Sequence, residues 1–122
     1  MDKAQRNTAP VLEKMYPFML WLIPTVGKFP RSQKFALGDR IQSTALDVLE
    51  GLIEASYRRD RQQLLVQVNR GVEKLRILIR LASDLRCMDV RRYEFAARAL
   101  DEIGRMVGGW IKANHAEITL QG

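Results

Sequence analysis

The spacing of the apolar residues constrains the fold of this chain more than any other feature of its sequence. Between the clear breaks, apolar residues recur at steps of three and four, as they do along one face of an α-helix. The sequence contains no alternating strand pattern and no Asn-Gly or Asp-Gly hairpin turn. The fold class is therefore predicted to be all-α, with short polar tails at both ends and four helices at about residues 10–26, 32–57, 61–86 and 89–112.

The same periodicity predicts which residues form the core. Short connections between long helices make sequence neighbours antiparallel, so an up-down-up-down four-helix bundle is the simplest architecture. Pro10 fits the first turn of the first helix, whereas Pro17 and Pro24 predict a kink or an early end. In the other three helices, the residues predicted to face the core are Leu37, Ile41, Thr44, Ala45, Val48, Leu52, Ala55, Leu64, Val68, Val72, Leu75, Ile79, Ala82, Leu85, Tyr93, Ala96, Ala97, Leu100, Ile103, Val107 and Ile111.

Size and charge narrow the class of protein further. With 122 residues, 47% of them hydrophobic, the chain has room for one folded domain over residues 1–122. The formal net charge of +6 favours polyanionic partners such as nucleic acid. The apolar run at residues 15–26 is interrupted by prolines and is shorter than the roughly 20 residues of a membrane-spanning helix. We therefore expect no membrane anchor and a cytoplasmic location.

Apolar residues also occur outside the predicted core stripes. They are Leu46, Leu49, Ile53, Ile77, Leu81, Met88, Phe95, Met106 and Trp110. A second apolar face on several helices is explained more economically by self-association than by a solvated surface, so an oligomer is predicted. Gly104 and Gly108 stand one turn apart on the last helix and are predicted to let a neighbouring helix approach closely.

The sequence offers no constellation of residues for catalysis. His115 is the only histidine, and Cys87, the only cysteine, has no histidine near it in the sequence. Asp47, Glu50 and Glu54 share one helix face but lack the Glu-x-x-His companions of a di-metal site in a bundle. We expect no enzymatic activity, no cofactor and no metal.

Arginine is the most informative residue type, because it supplies 14 of the 20 basic residues and suits bidentate phosphate contacts. Glu94 and Asp101 precede Arg98 and Arg105 by four residues, so both pairs are predicted to form helix ion pairs. Arg58, Arg59 and Arg61 crowd the turn between the second and third helices, Arg70, Lys74, Arg76 and Arg80 line the third helix, and Arg91, Arg98, Arg105 and Lys112 recur every seven residues on the fourth.

Arg76 and Arg80 have a different sequence context from the other arginines. Neither has an acidic residue four positions before it, and both stand among leucines and isoleucines. An unpaired guanidinium is costly in apolar surroundings. The two side chains are therefore predicted to face a partner, a neighbouring subunit or a ligand, and pairing with a carboxylate distant in the sequence is the alternative.

Three segments together resemble a known family. They are residues 29–41 (FPRSQKFALGDRI), 75–81 (LRILIRL) and 103–111 (IGRMVGGWI). Their order and spacing, within about residues 11–112, are similar to those of one family of small four-helix-bundle proteins. That family includes the accessory variability determinant (Avd) of diversity-generating retroelements and the proteins encoded by intervening sequences of bacterial 23S ribosomal RNA genes.

The resemblance implies a protomer that assembles into a ring or barrel of five and has no catalytic site of its own. It further implies binding to a retroelement reverse transcriptase and to template RNA, in support of mutagenic cDNA synthesis. Arg76 and Arg80 match the family's basic pair on the third helix, and Arg31 matches its Pro-Arg turn. Helix packing is implied for Gly104, Gly108 and Trp110.

Two interpretations of function follow. The leading one is a non-enzymatic, homopentameric protein that binds RNA and a reverse transcriptase; the alternative is an intervening-sequence bundle that acts as a generic protein or ribosomal-RNA docking module. A membrane-surface role is disfavoured because Pro17 and Pro24 interrupt the amphipathic helix.

The residues predicted to contact nucleic acid or a partner are Arg31, Lys34, Arg58, Arg59, Arg61, Arg70, Lys74, Arg76, Arg80, Arg91 and Arg92. Those predicted to serve oligomer or helix packing are Ile77, Leu81, Gly104, Gly108 and Trp110.

Overall fold

Four long helices dominate the part of the chain that the structure describes. The structure is a computed structural model that describes the backbone of residues 3–121 and the side chains of residues 10–120. The helices are α1 (Lys3–Gly27), α2 (Asp39–Tyr57), α3 (Gln62–Asp84) and α4 (Val90–Gln121). Each helix packs against the next along the chain, and α1 also packs against α4. The predicted all-α class and the antiparallel packing of four helices are confirmed.

The connection between α1 and α2 is itself helical. A single turn at Arg31–Gln33 runs into a five-residue π-helical segment, Lys34–Gly38, which continues directly into α2. Gly38 is buried, and a Cβ atom on it would lie only 2.9 Å from the Val26 side chain. A glycine is therefore required where this segment crosses the end of α1.

α1 is longer than predicted and does not end at its prolines. Pro10, Pro17 and Pro24 all lie inside the helix, so the expected polar tail before residue 10 and the early end are both wrong. The three prolines are seven residues apart and exposed, which places them on one solvent-facing side of α1. Carbonyl groups that lose their helical hydrogen bonds on that side can bind water instead, so the helix tolerates the prolines.

α4 also extends past its predicted end. The residues after 112 were expected to form a polar tail, but the helix continues to Gln121. Asn114 is buried, its side-chain amide donates a hydrogen bond to Gln62 Oε1, and Gln62 Nε2 donates to the carbonyl of Ile111. Contacts with the start of α3 thus hold this part of α4 in place.

The core is a single cluster of buried side chains that all four helices contribute to. The predicted stripes of α2, α3 and α4 are largely confirmed, with differences at their ends. In α3 the buried stripe begins at Leu65 rather than Leu64, and Leu85 lies beyond the helix and is exposed. Tyr93 and Ile111 are half-buried. The fully buried large side chains are Met15, Leu22, Ile41, Val48, Leu52, Leu65, Val72, Leu75, Ile79, Leu100, Ile103 and Val107.

The closest approach involving helix glycines is between α2 and α3. A Cβ atom on Gly51 would lie 2.5 Å from a methyl group of Val68, and one on Gly71 would lie 2.7 Å from a methyl group of Val48. The two contacts are reciprocal, since each helix provides one glycine and one valine. The valine methyl groups occupy the space that side chains at the glycines would need.

The close approach predicted at the glycines of α4 is not found within the chain. A Cβ atom on Gly104 would make ordinary contacts of 3.7 Å with Val72 and Arg76, and nothing lies within 4 Å of one on Gly108. Periodicity places glycines on helix faces, but only the packed bundle decides which face lies against another helix.

Candidate nucleic-acid and partner surface

The structure distributes the predicted basic residues over three regions rather than one site. We call the end of the bundle that carries residues 28–38 and 85–89 the upper end, and the end that carries residues 58–61 the lower end. Arg31, Lys34, Arg91 and Arg92 lie at the upper end, and Arg58, Arg59 and Arg61 lie at the lower end. Arg70, Lys74, Arg76 and Arg80 lie along α3 between them.

Arg76 is an interhelical ion-pair residue. Its guanidinium lies 2.6 Å from a carboxylate oxygen of Asp101 on α4 and 3.7 Å from one of Glu73 on its own helix. The fold therefore gives Arg76 a carboxylate partner that the sequence did not reveal, and its role in binding a partner or nucleic acid stays a prediction. Its main acidic neighbour is 25 positions later in the sequence, a distance that helix-spacing rules do not reach.

The acidic residues of α4 have different partners from those expected. Glu94 pairs with Arg98 at 3.5 Å, as predicted. Asp101 pairs with Arg76 rather than with Arg105, which has no ion pair among the described side chains. One predicted intrahelical pair is thus replaced by a bridge between α3 and α4.

Three other predicted contact residues are engaged within the chain. Arg58 pairs with Glu54 at 3.8 Å, and Arg92 pairs with Asp89 at 2.7 Å. Arg61 donates from Nε to the carbonyl of Arg58, and its guanidinium lies over the Trp110 ring, 5.6 Å from the centroid. At this separation the contact is a cation–π interaction that stabilises the lower end.

The remaining seven predicted basic residues are exposed and have no carboxylate partner among the described side chains. They are Arg31, Lys34, Arg59, Arg70, Lys74, Arg80 and Arg91. The same holds for five cations that sequence reasoning did not select, namely Lys28, Arg40, Arg86, Arg105 and Lys112. Lys28 and Arg86 lie in the two turns at the upper end. Their position beside the ends of helices was the only feature of the sequence that could have marked them as candidate contact residues.

The outer face of α3 combines unpaired cations with exposed apolar side chains. Ile77 is 66% exposed and Leu81 is 44% exposed. Helical spacing places Arg70 and Arg80 on or beside the same face. A surface of this kind can bind phosphates through its arginines and a protein through its apolar groups.

The second apolar face that the sequence predicts is only partly exposed. Ile53, Ile77, Leu81 and Phe95 are exposed, whereas Met88 is buried. The half-buried residues that pack against the chain's own core are Leu46, Leu49, Met106 and Trp110.

Sequence reasoning missed an exposed apolar strip on α1. Tyr16, Leu20 and Ile23 are exposed and recur at steps of four and three, which places them on one face of the helix. The core stripe of α1 lies on its other side and includes Met15 and Leu22. α1 therefore has two apolar faces, and only one of them is covered within the chain.

An open groove of about 880 Å³ runs between α1 and α4. Phe18, Phe95 and Met106 contribute to its apolar walls. Trp21 links the aromatic side chains of the two helices, with its ring centroid 4.7 Å from that of Phe95. Lys14 and Glu102, paired at 3.1 Å, cross the groove at its rim.

Two features of the described residues bear on metal binding and on thiol reactivity. No group of three or more His, Cys, Asp or Glu side chains among them is arranged to hold a metal ion. Burial raises the pKa of the Cys87 thiol above its ordinary value, which disfavours the reactive thiolate at neutral pH. None of the helices in the described part of the chain is long and apolar enough to cross a membrane.

Comparison with known families places this four-helix chain. Residues 11–114 match the family model described as bAvd-like. The chain belongs to the bAvd-like family. The match begins at Val11, where the described core begins, and ends at the buried Asn114. Proteins of this family are generally non-catalytic accessory proteins, and membership implies an accessory role in a diversity-generating retroelement. No curated protein matches the chain.

Proposed function

We propose that this bAvd-like protein is a homopentameric accessory protein that binds template RNA and the reverse transcriptase of its retroelement. In that role it supports mutagenic cDNA synthesis without catalysing a reaction itself. Family membership supports the accessory role. The net charge of +6 and the dominance of arginine support an RNA partner.

The observation that carries the proposal is the set of cations left over after internal pairing. Ion pairs engage Lys14, Arg58, Arg76, Arg92 and Arg98, yet twelve other described cations have neither an ion pair nor a cation–π contact. Unpaired exposed arginines suit phosphate, which offers planar guanidinium groups two acceptor oxygens at once. Because such contacts are to the phosphate backbone of the RNA, we expect the RNA affinity to depend strongly on salt and little on RNA sequence.

The apolar surface supports the protein contacts of the proposal. Ile77 and Leu81 lie beside unpaired cations on α3 and suit a protein partner such as the reverse transcriptase. The strip formed by Tyr16, Leu20 and Ile23 on α1 supports self-association. Exposed apolar groups that lie together on a helix face commonly mark interaction sites.

Light scattering in line with size exclusion tests the proposal. The protein is run alone, with a structured RNA at low and at moderate salt, and with the reverse transcriptase proposed as its partner. We expect the mass of five protomers, an RNA complex that weakens as salt rises, and co-elution with the reverse transcriptase. A monomer or dimer that ignores both RNA and the reverse transcriptase would contradict the proposal and favour a generic docking module.

A further inference from the structure

A cavity of about 590 Å³ opens at the upper end of the bundle, and three basic side chains line it. Lys28 comes from the turn after α1, Arg86 from the turn after α3, and Arg92 from the first turn of α4. Ser83 and Cys87 also contribute to the wall. Three segments that are distant in the sequence therefore bring positive charge to one concave surface.

The backbone at Arg86 is in the left-handed region, which favours glycine. Arg86 has a φ of 63°, and no other non-glycine residue in the described part of the chain has a positive φ. Its N–H donates to the carbonyl of Ser83, and the N–H of Cys87 donates to the carbonyl of Ala82. This is the helix-ending motif in which glycine normally takes the left-handed position, because a side chain there is strained. An arginine at this position is unfavourable for the backbone, and strained residues of this kind cluster at functional sites.

The charge around the cavity is positive. Lys28 and Arg86 have no carboxylate partner among the described side chains. Asp89 is the one acidic residue in the lining, and it is already engaged, since its carboxylate accepts from both the backbone N–H and the guanidinium of Arg92. Arg92 is thus paired with Asp89, whereas Lys28 and Arg86 are unpaired, which leaves the cavity with a net positive charge that attracts an anion.

We propose that this cavity binds a phosphate group of the RNA backbone, an inference that rests on the RNA binding proposed above. Arg86 can offer two parallel N–H donors, Lys28 a point charge, and Ser83 a hydroxyl group. The same end carries the unpaired Arg31, Lys34 and Arg91, which suits a strand with several phosphates better than a small free anion. Phe35, also at this end, is 66% exposed and offers a ring on which a base can stack.

Cys87 gives a direct measurement of occupancy, because it is the only cysteine and lines the cavity. The rate of its alkylation by a maleimide is measured on the full chain without ligand, with a short single-stranded RNA, and with inorganic pyrophosphate. RNA affinity is followed separately by fluorescence anisotropy of an end-labelled strand. We expect RNA to slow alkylation at concentrations that saturate the anisotropy signal, and pyrophosphate to do so only at much higher concentrations.

Lys28→Ala and Lys112→Ala form a matched pair of variants. Both remove one exposed lysine that has no ion pair among the described side chains, but Lys112 lies toward the far end of α4. Lys28→Ala and Arg86→Gly should each weaken RNA binding several-fold, lower the slope of log affinity against log salt by about 1, and abolish the protection of Cys87. Lys112→Ala should leave the protection intact.

The outcomes separate this inference from the proposed function. RNA binding by anisotropy with no protection of Cys87, or with equal loss of that protection in the Lys28→Ala and Lys112→Ala variants, would overturn the cavity site and leave the proposed function standing. Protection by pyrophosphate alone would assign the cavity to a small anion and overturn the RNA site. Absence of RNA binding in every assay would overturn both.

Discussion

Arg76 and Arg80 lie one turn apart on α3 but have different surroundings. Arg76 forms an ion pair with Asp101 on α4, and its guanidinium lies 3.7 Å from where a Cβ atom on Gly104 would be, so it contributes to the contact between α3 and α4. Arg80 is exposed and has no ion pair among the described side chains. The structure therefore gives Arg76 a contact within the bundle, whereas the Arg80 side chain stays available for the predicted partner contact.

Substituting the two arginines separately tests this division. Arg76→Ala should lower the free energy of unfolding by up to about 1 kcal/mol, because its ion pairs are partly exposed and screened by solvent. Arg80→Ala should leave the free energy of unfolding unchanged within about 0.5 kcal/mol and weaken RNA or reverse-transcriptase binding. Urea unfolding and RNA anisotropy on both variants measure the two effects. The reverse assignment, with Arg80→Ala destabilising and Arg76→Ala not, would contradict the structure.

The left-handed backbone at Arg86 lowers the stability of the folded protein, because an arginine carries a Cβ atom there. Arg86→Gly should raise the free energy of unfolding by about 1 kcal/mol, since glycine adopts a left-handed backbone without the clash of a Cβ atom. Arg59→Gly is the control: Arg59 also stands in an exposed turn, but its φ is not positive. Glycine there should lower stability by adding freedom to the unfolded chain. A drop in stability for Arg86→Gly, measured by thermal unfolding, would show that the side chain holds the turn.

At the scale of the helices, the crossing of α2 and α3 depends on two glycines. Gly51 and Gly71 receive Val68 and Val48 from the opposite helix, so the two backbones lie closer than alanines would allow. Glycine inside a helix costs about 0.5 to 1 kcal/mol relative to alanine. Closer packing across this crossing offsets that cost.

Replacing a glycine by alanine should therefore lower stability at the crossing of α2 and α3 and raise it where the glycine faces open space. Gly51→Ala should lower the free energy of unfolding by about 1 to 3 kcal/mol, because the new methyl group overlaps Val68. Gly108→Ala, where nothing lies within 4 Å of a Cβ atom, should raise it by about 0.5 to 1 kcal/mol. Denaturant unfolding of the parent protein and both variants at one fixed protein concentration measures both effects. A smaller cost of Gly51→Ala in a Val68→Ala background would confirm that the valine is the obstacle.

At the scale of the whole molecule, the uncovered apolar strip on α1 should govern assembly. Leu20 is 62% exposed, so Leu20→Glu should leave the protomer folded but prevent a neighbouring subunit from covering the strip. Ser43→Glu adds the same charge at an exposed position on α2 and should leave the assembly unchanged. Light scattering gives the mass, and circular dichroism checks the fold. A Leu20→Glu variant with the same mass as the parent protein would place the subunit contact elsewhere.

The sequence by itself determined the helical class, the four long elements and most of the core. A buried helix face repeats at steps of three and four, and Ile41, Val48 and Leu52 follow that rule without knowledge of their neighbours. The family was also accessible from the sequence, because its motifs are local runs of residues in a fixed order. The net positive charge required only counting.

The tertiary structure alone decided what depends on residues that are distant along the chain. Arg76 meets Asp101, Gly51 meets Val68, and Asn114 meets Gln62 only after the helices pack, and no local spacing rule relates such residues. The three cations of the upper cavity come together for the same reason. A helix pattern fixes the direction in which a side chain points, whereas its partner is fixed by the helix that packs against that face.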